Sequence, residues 1–412
     1  MEYITVKEAA EKWGVTARRV QILCSQNRIV GAIRFGNRIM IPRNAKYPVA
    51  SVDAVPSQDQ QAAFVHLPRN TPFLHMTDLY SIPGSADASA QKLSDNEEAR
   101  ALFEAEIAYS RGQIDQVYAS AQRFLDTDST FFSAISAGML LALCAIWRGD
   151  LTMWRRAKQH IAHAPAQTDH DRDVILLAIT AVDSMLYDVE SFPEWFKIGC
   201  FEPLPKDSLP AANVYYAKYL YASAYAVATK QVEVAGVKGL ALMGILPLTL
   251  EPMISQVAAD GIIMAEAYLR MTCATIYHNS GNDAQAIRHL DKALSLVLPD
   301  KLYGFLAEYC RPLGPILEQR LMLVDPLAWK NVKELYKIYN AGWSKLSGIV
   351  RGRTIITTLS PREREVAKLA AFGMTNNDIA EKLHMSLPGV KQAIRIASEK
   401  TGVSRDEFAT YL

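Results

Sequence analysis

The chain has 412 residues, half of them apolar and 21% charged, which is enough for two or more domains with real cores and excludes a disordered tail or a disulfide miniprotein. Its net charge of +1 is unevenly spread: nine Lys/Arg face three Asp/Glu in residues 1–48, ten face seven in 351–412, and 25 face 33 in between. An anionic partner such as nucleic acid therefore suits the two ends and is disfavoured along much of the middle.

The five cysteines are odd in number, far apart and without a C-x-x-C pair, which reads as reduced thiols. The longest apolar run, Ala134 to Trp147, stops at Arg148, short of the roughly 18–20 residues of a membrane helix. The first residues, Met1 to Glu8, lack the basic-then-apolar order of a signal peptide. The expectation is a cytoplasmic protein with no membrane partner.

Thr5-Val6-Lys7-Glu8 is a capping box and opens a helix from Val6 to about Trp13 with Ala9 and Ala10 inward. Gly14 supplies a tight turn and Thr16 caps a second helix, Ala17 to Ser25, locked by Val15, Val20 and Leu23. That leaves Thr16, Ala17, Arg18, Arg19 and Gln21 outward at the helix start, the order a helix entering a major groove needs: small or polar residues, then Arg for phosphate or guanine and Gln for adenine. Ile29 to Phe35 turns at Gly36-Asn37 and returns as Arg38 to Pro42, a hairpin with Arg34 and Arg38 near its tip. Val6, Glu8, Ala9, Ala10, Gly14, Val15, Arg18, Arg19, Val20, Gly31, Ala32, Gly36 and Ile41-Pro42 resemble the MerR-like and excisionase-like winged helix-turn-helix over about 45 residues. Ile39 stands where that family usually has Trp. The resemblance implies a second helix in the major groove and a wing on the backbone or minor groove.

Residues 49–95, rich in Pro, Ser, Gln, Asp and Ala, read as a linker; within it, the apolar patch Pro72 to Met76 is expected to dock on the next domain. Residues 96–347 are helical by pattern and arranged as pairs. Gly112 and Gly149, each ending a helix before a small-residue helix, lie 37 apart, near the tetratricopeptide period of about 34. Gly281-Asn282-Asp283 repeats the grammar between Met264–His278 and the helix carrying Ala286 and Ala293. This segment resembles degenerate tetratricopeptide-like repeats, stacked because one amphipathic pair cannot bury both faces; the alternative is an irregular helical bundle. Tyr215, Tyr216, Tyr219, Tyr221 and Tyr225 read as packing between pairs, with a ligand or peptide groove as the second reading. His160, His163 and His170 fall in a polar helix end and loop and carry no metal-ligand pattern.

Ser360 caps a helix with Pro361 in its first turn and Glu363 closing the box; Thr375 caps the next helix and Ser386 a third. Val366, Leu369 and Ala370, then Ile379, Ala380 and Leu383, then Val390 and Ile394 face inward, and a last helix is expected from Asp406 to Leu412. On Leu359-Ser360-x-Arg362-Glu363-x-Glu365-Val366 (Leu-Ser-x-Arg-Glu-x-Glu-Val), on Gly373, Asn376, Ile379 and Ala380, and on Ser386, Val390 and Lys391, this four-helix order resembles the LuxR/GerE-type DNA-binding domain. The resemblance implies that the third helix reads DNA, through Ser386, Lys391, Gln392 and Arg395, and that the last supports a homodimer. Gly389 stands where the family commonly has a phosphate-contacting Thr, and Ala393 where it has His.

The fold expected is mainly α: an N-terminal winged helix-turn-helix (1–48), a linker (49–95), a central TPR-like helical domain (96–347) and a C-terminal four-helix LuxR-type helix-turn-helix (357–412). No G-x-x-x-x-G-K-[ST] loop, paired-carboxylate or nucleophile pattern points to an enzyme or a cofactor. The reading is a transcription regulator that binds double-stranded DNA and senses a small-molecule or protein signal through its helices. The alternative is a helical-repeat interaction scaffold with degenerate terminal modules.

Overall fold

The computed structural model describes residues 3–13, 20, 29, 33–35, 38–43, 45, 72, 74–76, 80–125, 129–189, 192–229, 233–234, 237–238, 243–351, 359–401 and 404–408. The chain is mainly α and divides into two units, Met1–Leu67 and Pro68–Leu412.

In the first unit, β1 (Tyr3–Thr5) runs into α1 (Val6–Trp13) through the expected box: the Thr5 amide donates to Glu8 Oε2 (2.7 Å) and the Glu8 amide to Thr5 Oγ1 (3.3 Å). β2 (Ile33–Phe35) and β3 (Arg38–Pro42) pair antiparallel, with Phe35 opposite Arg38, the register a two-residue turn requires. β1 adds to the other edge of β3, Tyr3 opposite Pro42, a third strand that the hairpin pattern does not reveal. Ala9, Ala10, Val20, Ile29 and Ile41 form a small core, with Ile4, Val6, Trp13 and Ile39 packed on it.

The second unit starts earlier than the linker reading allows. Leu74, His75 and Met76 are buried, as the apolar patch implies. The Tyr215 hydroxyl donates to the Leu74 carbonyl (3.0 Å), and the His75 amide to Glu106 Oε1 (2.7 Å). Residues 80–95 are folded too: Tyr80 is buried, α2 (Ala86–Ser89) follows, and Asp300 accepts from the Tyr80 hydroxyl and the Gly84 and Ala86 amides. A polar composition hides this, because what holds the segment is a distant carboxylate collecting its amides and not an apolar stripe of its own.

The body continues as hairpins: α3 (Glu97–Arg111) with α4 (Ile114–Leu125), and α5 (Phe131–Arg148) with α6 (Leu151–Ala162). Then come α7 (Asp169–Met185), α8 (Glu194–Lys197), α9 (Leu209–Thr229), the ribbon β4–β5 (Glu233–Val234, Val237–Lys238), α10 (Pro247–Ala259), α11 (Ile263–Asn279), α12 (Asp283–Val297), α13 (Tyr303–Val324) and α14 (Pro326–Val350). Gly112 and Gly149 end α3 and α5 with φ of +86° and +61°, which any L side chain would strain. Asp150 then caps α6 and Asn282 caps α12 through amide hydrogen bonds at 3.0 and 3.3 Å. By length and composition α5 could cross a membrane, but 83% of its apolar window is buried inside the body.

Besides stacking on their sequence neighbours, α13 packs on α3 and α14 on α5, so the array closes on its own first hairpins. Glycines permit that closure. A Cβ on Gly304 would lie 2.6 Å from the Tyr109 carbonyl oxygen, and one on Gly342 would lie 2.1 Å from that of Trp147. Helix axes at those two crossings are as near as backbones allow.

Candidate nucleic-acid interface and central cavity

After the body come α15 (Pro361–Ala371), α16 (Asn376–Lys382) and α17 (Leu387–Thr401). Their starts are set by hydroxyl caps. Ser360 and Glu363 exchange hydrogen bonds (2.8 and 3.2 Å), Thr375 and Asp378 do likewise, and the Gly389 amide donates to Ser386 Oγ (3.2 Å). Val366, Leu369, Ile379 and Val390 are fully buried between the three helices, each contributing on the order of 1.5–3 kcal/mol. Phe408, beyond the short 3-10 turn Arg405–Glu407, closes this core; residues 409–412 of the expected last helix lie outside the described residues.

Ser386, just before α17, and Lys391, Gln392 and Arg395 on it are all exposed, on the side away from that core. Arg395 donates to Gln392 Oε1 (3.2 Å) and pairs with Glu399 (2.9 Å), so its guanidinium is held along the helix. Lys391 also lines a shallow groove with Thr375, Asn376, Asn377 and Arg405. Arg405 is anchored by Asn376 Oδ1 (2.6 Å) and the Met374 carbonyl. These groove residues escaped the sequence reading, whose only usable signal for them was the cap Thr375 followed by two asparagines. Gly389 acquires a local reason: a Cβ there would sit 3.1 Å from Ser386 Oγ, crowding the cap.

Thr16, Ala17, Arg18, Arg19 and Gln21 lie outside the described residues, as do the side chains of Arg34 and Arg38, whose backbones are on β2 and β3.

The opposite face of this C-terminal domain is docked on the body. The expected stripe of α15 is buried, but so are the charged residues Arg364, Glu365 and Lys368. Glu365 Oε1 meets His278 Nε2 of α11 at 3.3 Å, and Glu365 Oε2 meets Lys368 Nζ at 2.9 Å. Lys368 donates to the Pro312 carbonyl (3.2 Å), Lys382 to the His278 carbonyl (3.1 Å), and the Phe372 ring lies 5.2 Å from that of Tyr225. His278 Nδ1 is 2.7 Å from Asp283. Burial works against the charged form of His278, yet its hydrogen bond to Asp283 and the nearby Glu365 carboxylate outweigh it and raise its pKa. Burial likewise opposes ionised Glu365, but Lys368 and His278 hold its pKa down, to about 2. Arg364 Nε and Nη1 are also buried in this face without hydrogen-bond partners. Burial and then Arg364 push Arg311 down to about 10.

Within the ring of body helices lies a cavity of about 50 Å³, partly open to solvent. Its polar lining includes Tyr109, Tyr187, Lys218, Tyr221, Glu308 and Tyr339, with the hydroxyl residues Ser184, Thr272, Thr275 and Tyr309 beside them. Of the five clustered tyrosines, only Tyr221 lines it. Tyr216 and Tyr219 pack on Phe196 (5.8 and 6.0 Å between centroids), as the packing reading holds. A separate triad, Glu251, Cys273 and His289, brings its ligand atoms within 4.8 Å of one another, but Arg288 already pairs with Glu251 (3.1 Å). His163 and His170 turn to the backbone carbonyls of Gln159 and Pro203 (2.7 and 2.8 Å).

Residues 357–407 match the family model of the bacterial regulatory proteins of the luxR family. No curated protein and no solved structure matches the chain. The match covers the C-terminal domain, which is a LuxR-type helix-turn-helix and supports a DNA-binding transcription regulator.

Proposed function

We propose that this LuxR-type domain reads double-stranded DNA through α17, with Lys391, Gln392 and Arg395 at base edges and Ser386 and Lys391 near the backbone, in a regulator that acts in the cytoplasm. The observation that carries the reading is the exposure of these side chains while the domain's other face is held by the body. A docked domain can therefore still present its reading helix. Phosphate neutralisation supplies the affinity and base-edge contacts the preference.

The N-terminal unit is a second DNA-binding module in this reading. Its support is the capped α1 followed by a β2–β3 hairpin of the register a wing requires. Thr16, Ala17, Arg18, Arg19 and Gln21 face one groove, and Arg34 and Arg38 the adjacent backbone. A homodimer joined through the C-terminal helix supplies paired half-sites.

The helical body is the sensor. Pro312 lines the central cavity, and its carbonyl holds Lys368 of the DNA-binding domain. A molecule in the cavity and the docked domain thus share one stretch of α13, which Gly314 breaks with φ +47° and ψ −126°. A signal acts by binding the docked and released arrangements with different affinity.

The competing reading, an interaction scaffold with degenerate end modules, draws on Gly389 and Ala393. Substituting Arg18 and Arg19 by Ala separates the two. A regulator with two readers loses DNA affinity and shows a shallower salt dependence; unchanged affinity and unchanged regulation in the cell favour the scaffold.

A further inference from the structure

The central cavity contains two opposite charges that the body does not join. Lys218 Nζ lies 4.5 Å from the centroid of the Tyr268 ring and 5.7 Å from that of Tyr215, and among the described residues it makes no hydrogen bond or ion pair. Glu308 Oε1 accepts from the hydroxyls of Tyr109 (2.7 Å) and Tyr268 (3.1 Å), while its other oxygen has no described partner. Tyr268 thus touches both charges, one over its ring and one at its hydroxyl, which sets their separation at the scale of a small molecule. Burial pushes Lys218 down and Glu308 up from their usual values, each resisted by the other's charge.

Lys218 and Glu308 are half-buried in the cavity wall, an ammonium without a protein acceptor and a carboxylate with one oxygen unused, so each keeps hydrogen-bonding capacity that a bound molecule can fill. Water could do so, but the surroundings are built for more. Among the described residues the phenols of Tyr187 and Tyr339 line the cavity and make no hydrogen bond. Tyr187 takes the left-handed conformation (φ +58°) that ends α7, the amides of Tyr187 and Asp188 donating back to the Ser184 and Asp183 carbonyls, and this places it at the cavity wall. An anion alone leaves Glu308 incomplete, and a cation alone leaves Lys218 so. A molecule bearing both charges a few bonds apart completes the two together, and its ammonium end also gains the faces of the surrounding rings.

We propose that the cavity binds a small zwitterion of the free α-amino-acid class, its carboxylate on Lys218 and its ammonium on Glu308. This rests on the sensor reading of the body and specifies its ligand. The limited free space favours small side chains.

The test uses the full chain and the free proteinogenic L-amino acids as probes, each titrated by calorimetry and thermal shift. The expected result is saturable binding of at least one, with affinity lost about tenfold or more in its methyl ester and in its N-acetyl derivative, because each lacks one charge. Lys218→Met is expected to lose the same ligand while keeping its helical signal and melting cooperatively. The derivative comparison needs no variant and stands if Lys218→Met does not fold. Binding of none of the probes, or equal binding of the ester and N-acetyl forms, overturns the proposal. DNA affinity measured with and without the bound amino acid separates the two readings. Binding without a change in DNA affinity keeps the site and defeats the sensor; no amino-acid binding, with DNA affinity responding to another effector, does the reverse.

Discussion

Gly342 on α14 passes so close to the end of α5 that a Cβ on it would lie 2.1 Å from the Trp147 carbonyl oxygen. No rotamer change relieves a clash with backbone, so one helix must move. Around this crossing, Trp147 and Tyr339 meet edge to face at 5.3 Å, and the Trp343 indole donates to the Met185 carbonyl (2.8 Å). Gly342→Ala is expected to destabilise the body by at least the roughly 1–3 kcal/mol typical of overpacking, read as a lowered midpoint in urea. Gly244→Ala is the control, since nothing lies within 4 Å of a Cβ there; a shift of equal size in both variants would remove the closure from the explanation.

The contact between His278 and Glu365 makes the docking of α15 sensitive to pH in two windows. His278 has its pKa raised in the folded chain, so its contribution is complete below about pH 6.5 and fades as pH rises through the raised value. Glu365, held near 2, contributes above about 4.5 and loses its effect as pH falls from there toward 2. In thermal melts across pH, His278→Gln is expected to flatten the alkaline slope and Glu365→Gln the acid one. Slopes unchanged from the parent chain would contradict the pairing.

Arg364 invites a substitution that stabilises. Its guanidinium is buried in the docking face with two nitrogens unpartnered, and Arg311 is held beside it over the Trp343 ring at 4.7 Å. Replacing an unpaired buried charge by an apolar side chain of similar reach is often neutral or favourable by about 1–4 kcal/mol. Arg364→Met is expected to raise the melting midpoint. A lowered midpoint would mean that the guanidinium has a role in docking that its contacts do not reveal.

Much of this was legible in the chain before any coordinates. Capping boxes at Thr5, Ser360 and Thr375 write helix starts into four-residue strings, and Gly112, Gly149 and Gly281 write helix ends, because both signals are local. The exposed positions on α17 follow from helical period once Val390 is placed inward. What stayed hidden depends on partners far along the chain. Asp300 gathers the Tyr80 hydroxyl and the Gly84 and Ala86 amides, over two hundred positions away; Gly304 and Gly342 look like ordinary helix-weakening glycines until α3 and α5 are set against them. Lys218 is the lone charge of α9 and Glu308 one of four charges on α13, and only the closing of the array brings them to one cavity. The burial of Glu365 and Lys368 was likewise unreadable, since a charged face at helical spacing is normally solvated.

The most direct measurement is the affinity of the full chain for genomic DNA fragments across a range of salt, beside a variant with Lys391, Gln392 and Arg395 all changed to Ala. The expected result is preferred fragments bound with a steep salt dependence, and a variant that loses the preference with a slope lowered by roughly one, for the loss of Lys391 near the backbone. Weak binding that ignores both salt and sequence, or a variant indistinguishable from the parent, would contradict α17 as a reader of DNA.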